Sequence, residues 1–179
     1  WVEYWEATDP VTINLSTNRA GNVALGIDTL SGIESARGGL NADTLIGDAN
    51  ANHFDGGTGD DSIDGGDGRD SVGHWGASGP VTVNLTAGTV SGADGNDTLA
   101  SIEEVRGSNF GDTITGNSAD NYIEGRGGSD SIDGGTGWDT VGFWDATAPV
   151  SASLLTNRAT SGVDTDTLAG VEALNGYTF

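Results

Sequence analysis

The chain has 179 residues, of which 27 are Asp or Glu and 6 are Lys or Arg, so its formal net charge is −21 at pH 7. Such a charge repels nucleic acid and anionic membrane surfaces, and no apolar run of the sequence approaches the length of a membrane span. Cysteine is absent, which excludes disulfide bonds and thiolate metal sites, and the 31 glycines argue against a thick hydrophobic core.

A long repeat runs through the whole chain. Three similar segments open at residues 5–15 (WEATDPVTINL), 75–85 (WGASGPVTVNL) and 144–154 (WDATAPVSASL), and their prolines, Pro10, Pro80 and Pro149, are 70 and 69 residues apart. Each segment continues into a stretch that contains Asp-Thr-Leu. Repeats of this kind indicate an array of stacked structural units rather than a single globule.

The repeat predicts five successive regions. We expect a partial unit of spacer coils at 1–37, four nonapeptides at 38–73, spacer coils at 74–106, four more nonapeptides at 107–142, and the spacer coils of a truncated third unit at 143–179. We expect one continuous solenoid, in which each spacer adds further parallel coils with shortened turns, so that a unit contains four coils.

The nonapeptides predict short strands and no amphipathic helix. A glycine begins each of the eight, which leaves three or four extended residues before the next turn. The strands are centred on Leu45, Phe54, Ile63, Val72, Ile114, Ile123, Ile132 and Val141. Strands this short bury little alone, but coils of two nonapeptides stacked in register bury a thin continuous core. The sequence therefore predicts an all-β parallel solenoid.

The consensus of the nonapeptides, G-G-x-G-x-D-x-U-x with U an aliphatic residue, is best kept at 56–64 and 134–142. Glycine permits positive φ, so the turn can curl until several carbonyl oxygens face one point. Calcium takes six to eight oxygen ligands from carboxylates and carbonyls. The glycines that we expect to shape such turns are Gly56, Gly57, Gly59, Gly65, Gly66, Gly68, Gly125, Gly128, Gly134, Gly135 and Gly137.

The sixth place of each nonapeptide carries the candidate metal ligand. These residues are Asp43, Asn52, Asp61, Asp70, Asp112, Asn121, Asp130 and Asp139. A coil of 18 residues stacks Asp43 on Asp61, and two such carboxylates repel each other unless a cation lies between them. Oxygen ligands without cysteine favour calcium over zinc or copper, and magnesium demands a tighter cage. Asp97, in a weaker match at 92–100, extends the series, and the edge that holds the two Asn residues is expected to bind more weakly.

These motifs resemble the RTX (repeats-in-toxin, haemolysin-type) calcium-binding family, and the spacers are similar to those of large bacterial secreted repeat proteins. The resemblance covers 38–73 and 107–142. It implies a right-handed parallel β-roll with several calcium ions in its turns, type I secretion, folding outside the cell, and a structural role in a stalk, filament, surface layer or matrix. Two alternatives remain open: a calcium-dependent adhesin or carbohydrate binder, and the RTX module of a secreted hydrolase whose catalytic domain lies outside this chain.

The remaining candidates point away from catalysis. Trp5, Trp75 and Trp144 recur once per unit, which fits a sugar-binding ladder less well than packing or contact between neighbouring copies, end to end or side by side. Glu103 is expected to form a surface ion pair with Arg106. His53 and His74 have no expected partner. No nucleophile, metalloprotease or phosphate-loop motif is present, so we expect no enzyme activity, no nucleic-acid partner and no membrane insertion.

Overall fold

The structure is a computed structural model that describes residues 1–176. The end of the predicted last spacer, 177–179, lies outside the described residues. Within them the chain forms 21 short strands and no helix, and thus no helix that could cross a membrane. The prediction of an all-β fold is confirmed.

The strands lie in two sheets. In chain order they are β1 (Val2–Glu3), β2 (Thr12–Asn14), β3 (Arg19–Asn22), β4 (Gly26–Thr29), β5 (Ser35–Arg37), β6 (Thr44–Ile46), β7 (His53–Asp55), β8 (Ser62–Asp64), β9 (Ser71–Gly73), β10 (Val81–Asn84), β11 (Thr89–Gly92), β12 (Gly95–Ala100), β13 (Glu104–Arg106), β14 (Thr113–Thr115), β15 (Tyr122–Glu124), β16 (Ser131–Asp133), β17 (Thr140–Phe143), β18 (Val150–Ser153), β19 (Arg158–Ser161), β20 (Asp164–Ala169) and β21 (Ala173–Gly176). Sheet one has the spatial order β1-β5-β7-β9-β13-β15-β17-β21, and sheet two has the order β18-β19-β20-β16-β14-β10-β11-β12-β8-β6-β2-β3-β4.

The nonapeptides form a parallel β-roll. Successive strands alternate between the two sheets, and within each block of nonapeptides the first two strands pair with the strands 18 residues later, as Leu45 does with Ile63 and Phe54 with Val72. The central apolar residue of each roll strand, which is aliphatic except at Phe54, points into the space between the sheets and is at most 2% exposed. The predicted coil of two nonapeptides and the thin core are therefore both observed.

The spacers differ from the prediction. Instead of further parallel coils, each contributes a three-stranded antiparallel meander to sheet two, in which β10 pairs with β11 and β11 pairs with β12. The outer strands of the meander pair in parallel with β8 and β14 of the flanking rolls. The expectation of parallel spacer coils, and of four coils in a unit, is wrong.

Tight turns explain the antiparallel spacers. Parallel strands need a long crossover, whereas antiparallel strands are joined by a few residues. Only Leu85–Gly88 separate β10 from β11, and the last residue of this turn has positive φ, 65° at Gly88. The equivalent residues of the other spacers, Asn18 and Asn157, have φ values of 56° and 54°. Glycine and asparagine adopt this left-handed conformation most readily, so the same turn recurs in every unit.

Candidate metal centre

The sixth-place residues of the nonapeptides lie inside the turns. All eight predicted side chains are between 0 and 3% exposed: Asp43, Asn52, Asp61, Asp70, Asp112, Asn121, Asp130 and Asp139. Aspartate is almost never buried to this extent unless it is paired. We call the turns that lead into sheet two (38–43, 56–61, 107–112 and 125–130) edge I, and those that lead into sheet one (47–52, 65–70, 116–121 and 134–139) edge II.

Edge I carries a ladder of carboxylates. The backbone N–H of Asp43 donates to Oδ1 of Asp61 at 2.8 Å, and the N–H of Asp61 donates to Oδ1 of Asp97 at 3.0 Å. The second unit repeats this arrangement with Asp112, Asp130 and Asp166. The structure thus brings together the predicted Asp43 and Asp61, and Asp97 continues their ladder into the spacer. Asp166 occupies the corresponding place although its segment lacks the glycine pattern.

Edge II contains ligand candidates that the sequence reasoning assigned to other roles. Asn52 N–H donates to Oδ1 of Asp70 at 2.7 Å, and Asp70 N–H donates to Oε2 of Glu103 at 2.9 Å. Glu172 accepts from Asp139 N–H in the same way. The spacer therefore continues this ladder with glutamate. The expected ion pair between Glu103 and Arg106 is not among the ion pairs of residues 1–176, where Arg106 instead lies 3.5 Å from Glu124.

The eight turns fall into two kinds, set by the second residue. In what we call closed turns, the backbone N–H of that residue donates to the sixth-place side chain of the same turn. Asp48 N–H donates to Asn52 Oδ1 at 2.7 Å and Ser108 N–H to Asp112 Oδ2 at 2.6 Å. The closed turns are 38–43, 47–52, 107–112 and 116–121, with the donors Gly39, Asp48, Ser108 and Asn117. Their sixth-place side chains already accept a hydrogen bond from their own turn.

In the other kind, which we call open turns, the second residue has positive φ. These residues are Gly57 (93°), Gly66 (91°), Arg126 (74°) and Gly135 (97°). The conformation turns the N–H of the three glycines away from the sixth-place carboxylate and toward the acid that precedes the turn. Gly57 N–H, for example, donates to Asp55 Oδ1 at 3.0 Å, and Gly66 and Gly135 donate likewise to Asp64 and Asp133.

Three of the four open turns leave a buried carboxylate oxygen free for a cation. Oδ2 of Asp61, Asp70 and Asp139 is buried and accepts no hydrogen bond from the described residues. Burial, together with the neighbouring carboxylates of Asp97 and Asp43, raises the pKa of Asp61 to about 8. Burial also raises the pKa of Asp70 to about 6 and that of Asp130 to about 7. These carboxylates are poorly solvated, so each gains more from a positive charge than a surface carboxylate does.

The glycine at the first place makes room for further oxygen atoms. A Cβ on Gly38 would clash with both the carbonyl oxygen of Gly56 and Oδ2 of Asp43. At Gly65, likewise, a Cβ would lie 2.6 Å from Oδ2 of Asp70 and would clash with the carbonyl of Ser101. No three His, Asp or Glu side chains within residues 1–176 are grouped so that they could hold a metal ion alone. Calcium commonly takes backbone carbonyl oxygens as further ligands, and the carbonyls of Gly56 and Ser101 lie beside the carboxylates of Asp43 and Asp70.

Trp1, His53 and Trp75 pack on one another beside β7 and β9. His53, for which no partner was expected, stacks on Trp75 with ring centroids 4.7 Å apart, and its Nδ1 contacts Ser71 Oγ. Trp75 also covers Gly73, where a Cβ would lie 2.8 Å from the indole. The expectation that His53 has no partner is wrong. The contacts of Trp75 favour packing over a free sugar-binding surface.

Comparison with known proteins agrees with this geometry. The family model described as the RTX calcium-binding nonapeptide repeat matches residues 37–72 and 106–141, with four copies. No curated protein matches the chain. The matched ranges contain all eight turns described above, and apart from residues 37 and 106 they exclude the three spacers.

Proposed function

The chain carries RTX calcium-binding nonapeptide repeats, and on this premise we propose that it is a structural β-solenoid region of a secreted or surface-bound bacterial repeat protein. Calcium is the ion that such repeats bind. In our proposal the chain folds when it meets extracellular calcium and then serves as part of a stalk, filament, surface layer or matrix. Type I secretion, which delivers an unfolded chain to the outside, is consistent with this order of events.

The buried, unpartnered carboxylate oxygens of the open turns carry the proposal. An unpaired buried carboxylate is strongly unfavourable, and Oδ2 of Asp61, Asp70 and Asp139 is in this situation. Bound calcium supplies the positive charge and the coordination positions that these oxygens require. We propose the open-turn residues Asp61, Asp70, Asp130 and Asp139 as the principal side-chain ligands, with the neighbouring carbonyls of edges I and II. Asp97, Glu103, Asp166 and Glu172 extend the same ladders.

Folding should depend on calcium because the core is thin. Each roll strand buries one central side chain, which is too little to outweigh both the chain entropy and the repulsion of stacked carboxylates. We expect the far-UV circular dichroism spectrum to show β structure in millimolar calcium and a largely disordered chain after addition of a calcium chelator. A strand signal that survives the chelator would refute coupled folding and binding.

The two kinds of turn allow a matched test of the ligands. Asp61→Asn removes the carboxylate charge at an open turn. Asp43→Asn makes the same change at a closed turn, where asparagine already occurs naturally in the closed turn of Asn52. We expect Asp61→Asn to weaken the calcium affinity of its site at least about tenfold, equivalent to about 1.4 kcal/mol, and Asp43→Asn to change it less. Calcium titration by calorimetry measures both. Equal effects of the two substitutions would show that open and closed turns do not differ as ligands.

A further inference from the structure

One position has different residues in the two units, and the difference changes a cavity. Gly57 is the second residue of its open turn, and the residue 69 positions later is Arg126. Arg126 has a φ of 74°. A left-handed conformation is unfavourable for a residue with a side chain, so the placement of this side chain must offset that cost.

In the second unit the arginine side chain fills a space between the turn and the following spacer. The side chain of Arg126 is only 17% exposed, and its Nε lies 2.9 Å from Oδ2 of Asp145. The cavity that remains beside it has a volume of about 20 Å³ and is lined in part by Glu124, Phe143 and Asp166. A guanidinium group with its own carboxylate partner thus occupies this place.

The first unit lacks both members of that pair. Glycine replaces the arginine at Gly57 and the aspartate at Gly76, and the corresponding cavity has a volume of about 190 Å³. A water molecule takes about 30 Å³ of liquid volume, so the cavity has room for a small planar cation. Its lining includes Arg37, Asp55, His74, Asp94 and Asp97, with Trp5 at the exposed rim.

The lining of the first cavity is polar and acidic. Three carboxylates and one guanidinium line it, and Arg37 lies 3.2 Å from Asp55. Asp94 accepts hydrogen bonds from Ser78, and Asp97 accepts one at Oδ1 from the backbone N–H of Asp61. His74 replaces the phenylalanine of the second unit, and its buried Nε2 has no hydrogen-bond partner within residues 1–176. A buried polar atom without a partner in a native structure calls for an explanation, and a polar ligand supplies one.

We propose that this cavity binds a guanidinium group, supplied either by free arginine or by an arginine side chain of a partner. Guanidinium is planar, has several N–H donors in a fixed fork, and is less strongly hydrated than ammonium, so it suits a half-enclosed site with carboxylates. The rim tryptophan can stack on it. In this proposal, the first unit binds a guanidinium group from another molecule, whereas in the second unit the side chain of Arg126 supplies that group.

Calorimetric titration of the full chain with methylguanidinium, in saturating calcium, tests the proposal. We expect one site in the wild type, two sites in Arg126→Gly, which opens the second cavity and leaves Asp145 free, and at least tenfold weaker binding of methylammonium. Titration with arginine and with a capped Gly-Arg-Gly peptide distinguishes the two sources. Absence of saturable binding to the wild type, or a single site in a folded Arg126→Gly variant, would overturn the proposal.

Two substitutions that copy the second unit sharpen the test. Gly76→Asp supplies the carboxylate found at Asp145; its Cβ would lie 3.4 Å from Nη2 of Arg37, so it neutralises the cation already in the lining and should tighten binding of a second one. His74→Phe removes the unpartnered nitrogen and should weaken binding. Circular dichroism checks that each variant is folded in calcium. Equal affinities of the wild type and both variants would assign the bound cation to another surface, and would also overturn the proposal. Because calcium is saturating throughout, failure here leaves the calcium-dependent role untouched.

Discussion

At the scale of single residues, one backbone dihedral determines whether an aspartate is available to a metal. Gly66 and Asp48 are both second residues of edge II turns, but only Gly66 has positive φ. Its N–H therefore bonds to Asp64 and not to the sixth-place Asp70, whereas the N–H of Asp48 bonds to the sixth-place Asn52. Glycine matters here because it adopts this conformation without strain.

The raised carboxylate pKa values predict how the calcium-free chain responds to pH. The pKa of Asp61 rises on folding from 3.8 to about 8, so its folded form holds the proton more tightly than its unfolded form. This contribution to stability is fully present below about pH 4 and is lost as the pH rises through about 8. We therefore expect the calcium-free chain, which in our proposal is largely disordered at neutral pH, to gain β structure as the pH is lowered from about 8 to about 5, as measured by far-UV circular dichroism in calcium-free buffer.

An amide at the same position provides the control for the pH experiment. Asp61→Asn does not titrate, so the dependence on pH should become shallower, with the remainder carried by residues such as Asp130, whose pKa burial raises to about 7. Stability that increases toward pH 8 in the absence of calcium would contradict the prediction. In saturating calcium the trend should be much weaker, because the carboxylates are then held in the charged form.

At the scale of the turn, steric contact predicts which glycines cannot be replaced. A Cβ on Gly66 would lie 2.5 Å from the carbonyl oxygen of Asp48, and the φ of 91° is unfavourable for any other residue. We expect Gly66→Ala to lower the free energy of unfolding in calcium by about 2 kcal/mol or more.

Gly127 provides the comparison for Gly66. It lies in the middle of an open turn, has no positive φ, and a Cβ there would meet nothing closer than 3.5 Å. Gly127→Ala should therefore change stability by less than about 1 kcal/mol. Urea denaturation in calcium measures both variants, and similar losses would mean that the backbone of the turn is not the limiting feature.

The turns also show how far the sequence alone could lead. The nine-residue period predicted the roll, its core residues and the stacking of Asp43 on Asp61, because a strict period leaves each residue one orientation. The sequence also contains a signal that distinguishes open from closed turns, and the prediction missed it. An acidic residue directly precedes every open turn and none of the closed turns; these residues are Asp55, Asp64, Glu124 and Asp133. In three of the four this acid receives the N–H that the open turn releases.

The spacers were harder to predict, for a physical reason. Alternating Val, Ile and Thr residues favour a strand in either direction, so Val81–Asn84 fits a parallel coil as well as a meander. Only the length of the connection and the left-handed residue at its end distinguish the two. Glu103 was missed because its side chain, one methylene longer than Asp, reaches the ladder from a segment without the nonapeptide pattern.

At the scale of the whole molecule, the meanders make the two sheets grow at different rates. From β5 to β13 sheet one advances by three strand spacings, whereas from β6 to β14 sheet two advances by five. Neighbouring strands lie about 4.8 Å apart, so the two additional strands make sheet two about 10 Å longer than sheet one in each unit. The two packed sheets are themselves only about 10 Å apart. Residues of the meander such as Val90 remain in the core. The additional strands therefore stay in sheet two and do not fold away from it. We infer that the solenoid bends toward sheet one at every spacer.

Replacement of a spacer by roll residues tests this bend. A chain in which 74–106 is exchanged for a copy of 38–73 keeps the alternation between the sheets and adds equal numbers of strands to each. We expect this variant to be straighter, with a larger maximum dimension relative to its radius of gyration in small-angle X-ray scattering in calcium. The wild type should fit a curved body, and an equally straight wild type would show that the meander absorbs the excess by tilting. If the wild type is curved and the variant is straight, spacers placed every 69 or 70 residues set the curvature of an array of such units, independently of the calcium-binding turns that hold it together.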